Sequence, residues 1–217
     1  MKSITILSWS VAAFALCCPA LSATPPPAGP PYDAITWPMS MRHAPSGGIT
    51  LGDFRIVYTK TTLETVAATI GAGSVSYAGD GAESVSWLCY SIVTPHRLER
   101  VWLMSSLEMD GHTNEISMVK ATRQATYDMP KDCPRLPMRF VPVSLDTKIW
   151  LGSTTKTLTR ELGAPSHEAR PWLNYEFQTK VTDDGQCEGG YDRINSLDVK
   201  IDDGAVVFLS TDDVTSC

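Results

Sequence analysis

The chain has 217 residues, with 18 Lys and Arg against 24 Asp and Glu, a net charge of −6. Removal of a leader carrying Lys2 leaves 17 basic against 24 acidic side chains, a net of about −7. That balance argues against nucleic acid and anionic membrane surfaces, which would repel it, and permits a basic protein partner.

The N-terminus reads as an export signal. Lys2 is the sole charge before residue 33, an apolar run spans Ile4 to Cys18, and Ala20-Leu21-Ser22 or Leu21-Ser22-Ala23 offers a cleavage site. The run is too short and too broken by serine and proline for a transmembrane span. Cys17 and Cys18 raise the question of a lipid anchor, but Phe14-Ala15-Leu16 lacks the small residue expected ahead of an acylated cysteine. A periplasmic or secreted chain is expected. Residues 24–47 then form a proline-rich stem, predicted to be extended and poorly ordered, with Trp37 and Met39 as pins to the body.

Module 1 is placed at 48–121. Phe54, Ile56 and Tyr58 alternate as a strand, Thr61 and Glu64 have capping-box spacing, and Leu63, Val66, Ala67 and Ile70 line a short helix ending at Gly71. Strands are predicted over Ser84–Val93, Leu98–Met109 and Glu115–Ala121, with Asp110-Gly111 as a turn. A linker holding Pro130, Pro134 and Pro137 occupies 122–138, and module 2 occupies 139–217. In module 2 the helix is Thr154–Leu162, Trp172–Val181 is a strand, and Asp203-Gly204 turns a hairpin. The two stretches match at an offset of 92: Tyr58 with Trp150, Thr61 with Ser153 as N-caps, and Gly71 with Gly163 as left-handed helix stops. The expected fold is therefore α+β: two tandem modules, each a short helix or helix pair packed on an antiparallel sheet of three to four strands.

Four cysteines follow the leader: Cys89, Cys133, Cys187 and Cys217. In an exported chain they imply disulfides, with three possible pairings, of which Cys89–Cys133 and Cys187–Cys217 are the simplest. Cys89 as a catalytic thiol would need a neighbour to lower its pKa, and its apolar strand supplies none. The histidines His43, His96, His112 and His167 have no zinc spacing, Asp198, Asp202 and Asp203 lack the alternation of a calcium loop, and no nucleophile motif occurs. No catalytic residue, metal or cofactor is expected. The candidates for partner binding are Tyr77 and Asp80, in the loop Ala72–Glu83 that lengthens the first copy, and the strand tryptophans Trp102 and Trp172. Which sheet face lies open is not encoded in a period of two.

Gly152, Thr154, Leu158, Leu162, Gly163 and Pro165 resemble the pattern of the BamE/SmpA-type envelope lipoproteins, whose module the beta-lactamase inhibitory proteins use in tandem. The first copy keeps the threonine cap (Thr62 in register, or Thr61), Val66, Ile70 and Gly71, and departs at Lys60 and Gly73, where glycine and proline belong. The resemblance covers about fifteen residues per copy and implies a non-enzymatic module for protein–protein contact; no partner-contacting residue carries over. The expected function is an exported protein-binding protein, in its specific form an inhibitor or immunity protein for a secreted or periplasmic hydrolase. The alternatives are an envelope-assembly or structural component, and a periplasmic enzyme with a site between the modules.

Overall fold

A computed structural model of the chain describes residues 23–31, 41–80, 84–106, 114–182 and 190–216. The leader, Trp37, Met39, the Asp110-Gly111 turn, Cys187 and Cys217 lie outside the described residues.

Among the described residues eleven strands and two α-helices follow one another. The chain begins with β1 (Gly48–Leu51), β2 (Phe54–Val57), α1 (Leu63–Ile70), β3 (Ser76–Ala78), β4 (Val85–Val93), β5 (Leu98–Ser106) and β6 (Met118–Gln124). It continues with β7 (Val143–Leu145), α2 (Thr155–Leu162), β8 (His167–Ala169), β9 (Trp172–Val181), β10 (Tyr191–Asp202) and β11 (Ala205–Ser216). Eight strands form one antiparallel sheet in the order β3-β4-β5-β6-β11-β10-β9-β8, and a small sheet has the order β2-β1-β7.

The expected α+β arrangement of two helix-on-sheet modules is overturned. Strands make up 47% of the structure and helices 11%, and the two halves do not own separate sheets. The physical reason lies at the centre. The last strands of the halves, β6 and β11, would each leave an edge of unpaired amides, and they pair with each other from Phe208 opposite Thr122 to Asp212 opposite Met118.

One face of the large sheet holds the main core. Leu88, Leu103, Val119, Thr211, Leu197 and Tyr175 stand opposite one another in a row across six strands. Over this face lie Leu63, Val66 and Ile70 of α1, Leu158 of α2, and Ile49, Leu51, Ile56, Val143 and Leu145 of the small sheet. The β1–β2 turn requires Gly52: its φ is +58°, and a Cβ there would meet Arg139 O at 2.3 Å.

The helix signals recur with one shift of residue. The N-caps are Thr62 and Thr154, whose side chains accept from Thr65 N and Thr157 N. Thr61 and Ser153, read as the caps, instead accept from Val57 N and Trp150 N in the turn just before. Glu64 does not close a capping box; its carboxylate accepts from Asn114 Nδ2. Gly71 is left-handed (φ 75°, ψ 19°), whereas Gly163 takes φ 84° with ψ −152°. Among the described residues no helix is long and apolar enough to cross a membrane.

Candidate binding face of the large sheet

Alternation along the strands sends the other set of side chains to the outer face, where they also form rows. One row runs Cys89, Trp102, Lys120, Ser210, Asp198, Asn174 and His167. The next runs Trp87, Met104, Met118, Asp212, Ser196 and Glu176. Both change character at the β6–β11 seam, from aromatic and sulfur-bearing in the first half to carboxylate, amide and hydroxyl in the second.

The first half is closed. The Cys89–Cys133 disulfide, spanning 44 residues, ties the segment after β6 to the middle of β4. Ser91 reinforces it by donating its amide to Pro134 O and its hydroxyl to Cys133 O. Trp87, Cys89, Trp102, Met104 and Cys133 make a second, small core. Its lid is the proline-rich stem. The Thr24 carbonyl accepts from both indoles, Trp87 Nε1 at 3.1 Å and Trp102 Nε1 at 3.3 Å. Asp132 accepts from the Thr24 backbone amide and, at 2.9 Å, from the Thr24 hydroxyl. Lys120 Nζ donates to Pro27 O at 3.1 Å. The stem, expected to be poorly ordered, is thus held along residues 24–27.

In the second half, carboxylates on three adjacent strands share the face: Glu176 on β9, Asp198 on β10 and Asp212 on β11. Asp198 accepts from Asn174 Nδ2 at 2.9 Å and Asp212 from Ser196 Oγ at 2.9 Å. Burial pushes the Asp212 carboxyl up to about 6; the Ser196 bond opposes this, and the charges of Asp198, Glu176 and Asp213 add to it. Glu176 is likewise raised, by burial and by Asp198. Lys120 faces this group from β6, its amine lowered by burial and held up by Asp212 and Asp198. Burial is the larger cause of these shifts and like charge the smaller, and Lys120 answers part of that charge from within the chain. Among the described residues no group of three or more His, Cys, Asp or Glu is placed to hold a metal ion.

An aromatic pair borders the carboxylates. Trp172 meets Phe208 edge to face at 5.3 Å between ring centroids, beside a groove lined by Pro27, Ala28, Lys200 and Asp202. A second hollow of about 660 Å³ opens on the other face, between α2 and the sheet, lined by Thr155, Thr159, Glu168, Arg170, Tyr175 and Ile201. It exists because α2 buries Leu158 alone, where α1 buries three side chains.

The four residues singled out for partner contact are not brought together. Trp102 is 2% exposed beneath the stem. Trp172 is half-buried beside Phe208 on the outer face of the second half. Tyr77 is 55% exposed on edge strand β3, opposite Ser86, which shares the helix-side face with Leu88. Asp80 is exposed just beyond β3. Sequence reasoning missed Glu176, Asp212, Asp132 and Thr24. The alternation of Ser196 with Asp198 and of Ser210 with Asp212 was a usable signal for a polar strand face. Nothing local linked Thr24 to a carboxylate 108 residues away.

No protein-family model matches the chain, and no curated protein or solved structure matches it.

Proposed function

We propose that the chain is an exported, non-catalytic binding protein that docks a basic surface of another protein against the second half of its outer sheet face. In its specific form the reading is an inhibitor or immunity protein for a secreted or periplasmic hydrolase. The observation that carries it is the run of Glu176, Asp198 and Asp212 across three adjacent strands, with Asp212 raised to about 6. Ionised together at neutral pH, these groups repel one another, and a Lys- or Arg-bearing partner would relieve that repulsion on contact. The neighbouring Trp172–Phe208 pair supplies the kind of rigid apolar anchor that binding surfaces use. Support of a different kind comes from the Cys89–Cys133 disulfide, which suits an oxidising compartment, and from the resemblance carried by Gly152, Thr154, Leu158, Leu162, Gly163 and Pro165.

The test is capture from envelope and secreted fractions with the protein at micromolar concentration. The wild type is compared with Glu176→Gln/Asp198→Asn/Asp212→Asn and with Trp172→Ala. Expected is a specific partner, retained less as salt rises and lost with the triple variant. No partner at that concentration, or equal capture by wild type and triple variant, sinks the reading.

A further inference from the structure

Thr24 is held through its backbone nitrogen, its carbonyl and its hydroxyl, with Ala23 ahead of it packed on the same small core. Its carbonyl accepts from the indoles of Trp87 and Trp102, and both oxygens of Asp132 are engaged, one by its backbone nitrogen and one by its hydroxyl. The residues that do this come from three distant places in the chain, 63, 78 and 108 residues away. The carboxylate is fixed from below, because Asp132 adjoins Cys133, whose disulfide partner Cys89 stands opposite Trp102 in the β4–β5 register. Thr24 is also the residue that follows Leu21-Ser22-Ala23, one of the two cleavage sites that the leader offers.

We propose that Asp132, Trp87 and Trp102 form a receptor for the chain's own processed N-terminus, the α-ammonium group of Thr24. Hydrolysis of the Ala23–Thr24 peptide bond by a leader-processing peptidase adds the water hydroxyl to the Ala23 carbonyl carbon. The Thr24 nitrogen leaves as an amine and takes up a proton. Where the precursor offers Asp132 one amide N–H, the processed chain offers a full positive charge and three donors, so a bond from a neutral donor to the carboxylate becomes an ion pair.

The residues after Thr24 fit this role. Pro25, Pro26 and Pro27 have no backbone N–H to satisfy and a restricted φ, so laying them along the sheet costs little conformational entropy. Lys120 secures the far end of that run at the Pro27 carbonyl. Processing thereby latches the stem over the aromatic half of the face, and the latch is strongest in the chain that has been exported and cut. The inference shares with the functional proposal the expectation of export and nothing else; loss of partner capture leaves it standing.

The experiment uses protein secreted from the full-length precursor. Its first residue is determined by intact mass and N-terminal sequencing, and its α-amine is then labelled at pH 7 with an amine-reactive reagent. Expected is Thr24 as the first residue, with α-amine labelling at least about tenfold slower than in a free Thr-Pro-Pro peptide, the factor for one charged hydrogen bond. Asp132→Asn should restore the peptide rate. A form with one extra alanine ahead of Thr24, released from a cleavable tag after disulfide formation, should label at the peptide rate too. That second form keeps the test intact if Asp132→Asn does not fold. A mature chain that begins elsewhere overturns the proposal, as does peptide-rate labelling of the wild type or slow labelling in both altered forms.

Discussion

Tyr58 and Trp150 occupy equivalent places 92 residues apart and reach across the central seam in opposite directions. The Tyr58 hydroxyl meets Thr211 Oγ1 on β11 at 2.5 Å, while the Trp150 indole donates to Glu99 Oε2 on β5 at 2.9 Å. Each half thus bolts itself to a strand of the other. The two bolts are chemically unequal, because Glu99 is 2% exposed and charged, with Arg97 Nε 2.7 Å from its other oxygen.

That inequality sets the first prediction. Tyr58→Phe removes a neutral bond and should cost about 1 kcal/mol, whereas Trp150→Phe strips a donor from a buried carboxylate and should cost about 2–3 kcal/mol. Burial raises the Glu99 pKa above the ordinary carboxylate value, against the lowering by Trp150, Arg97 and Arg123. Stability from this group is therefore complete below the ordinary value and lost as pH rises through the folded one. Trp150→Phe should enlarge that loss, so urea unfolding of the variant should show a larger deficit at pH 8 than at pH 5. Equal deficits at both pH values would remove Glu99 from the explanation.

Asp212 gives a sharper pH signature. Its folded pKa of about 6 lies above the ordinary 3.8, so its contribution is present below 3.8 and disappears as pH climbs through about 6. Asp212→Asn should melt higher than wild type at pH 7.5, by a free energy on the order of 1–3 kcal/mol, and should match it near pH 4. Parallel melting profiles across that range would contradict the assignment.

Reduction of Cys89–Cys133 should cost about 4 kcal/mol in the chain-entropy account of a 44-residue separation. Because the same bond holds Asp132 beside Trp102, reduction should also make the two covered indoles accessible to acrylamide. Fluorescence quenching with and without reductant reads both effects; indoles equally shielded in the reduced protein would show that the stem is held without the disulfide.

Two glycines should respond differently to alanine. At Gly52 a positive φ of +58° combines with a Cβ that would lie 2.3 Å from Arg139 O, so Gly52→Ala should cost several kcal/mol. At Gly163 the φ is +84° with ψ −152°, a region all but confined to glycine, yet nothing lies within 4 Å, so Gly163→Ala should cost about 1–3 kcal/mol from backbone strain alone. Denaturant midpoints decide it, and equal costs would mean that the close approach to Arg139 is easily relaxed.

What the sequence made legible was local. The faces of α1, the Asp203-Gly204 turn, with φ of 47° and 71°, and the strand character of Trp172–Val181 all follow from periods and propensities a few residues long. The caps were legible to within one residue, since Thr61-Thr62 and Ser153-Thr154 each offer two hydroxyls in succession and the second of each pair is the cap. The seam was not legible: Met118–Gln124 and Ala205–Ser216 alternate as strands, but alternation names no partner. For the same reason the outer rows could be anticipated strand by strand and not as a surface. The lid over Trp102 depends on Asp132 meeting Thr24, a contact that neither segment encodes alone.

The joined sheet also bears on solubility. By meeting at β6 and β11, the halves leave the outermost positions to β3 and β8, which are three residues each. Where β3 stops short along β4, Pro134 and Leu136 pair with Ser91; where β8 stops short along β9, Ser166 bonds Asn174 and Glu176. Among the described residues both margins are thus partly capped, which opposes pairing with a strand of another molecule at those positions.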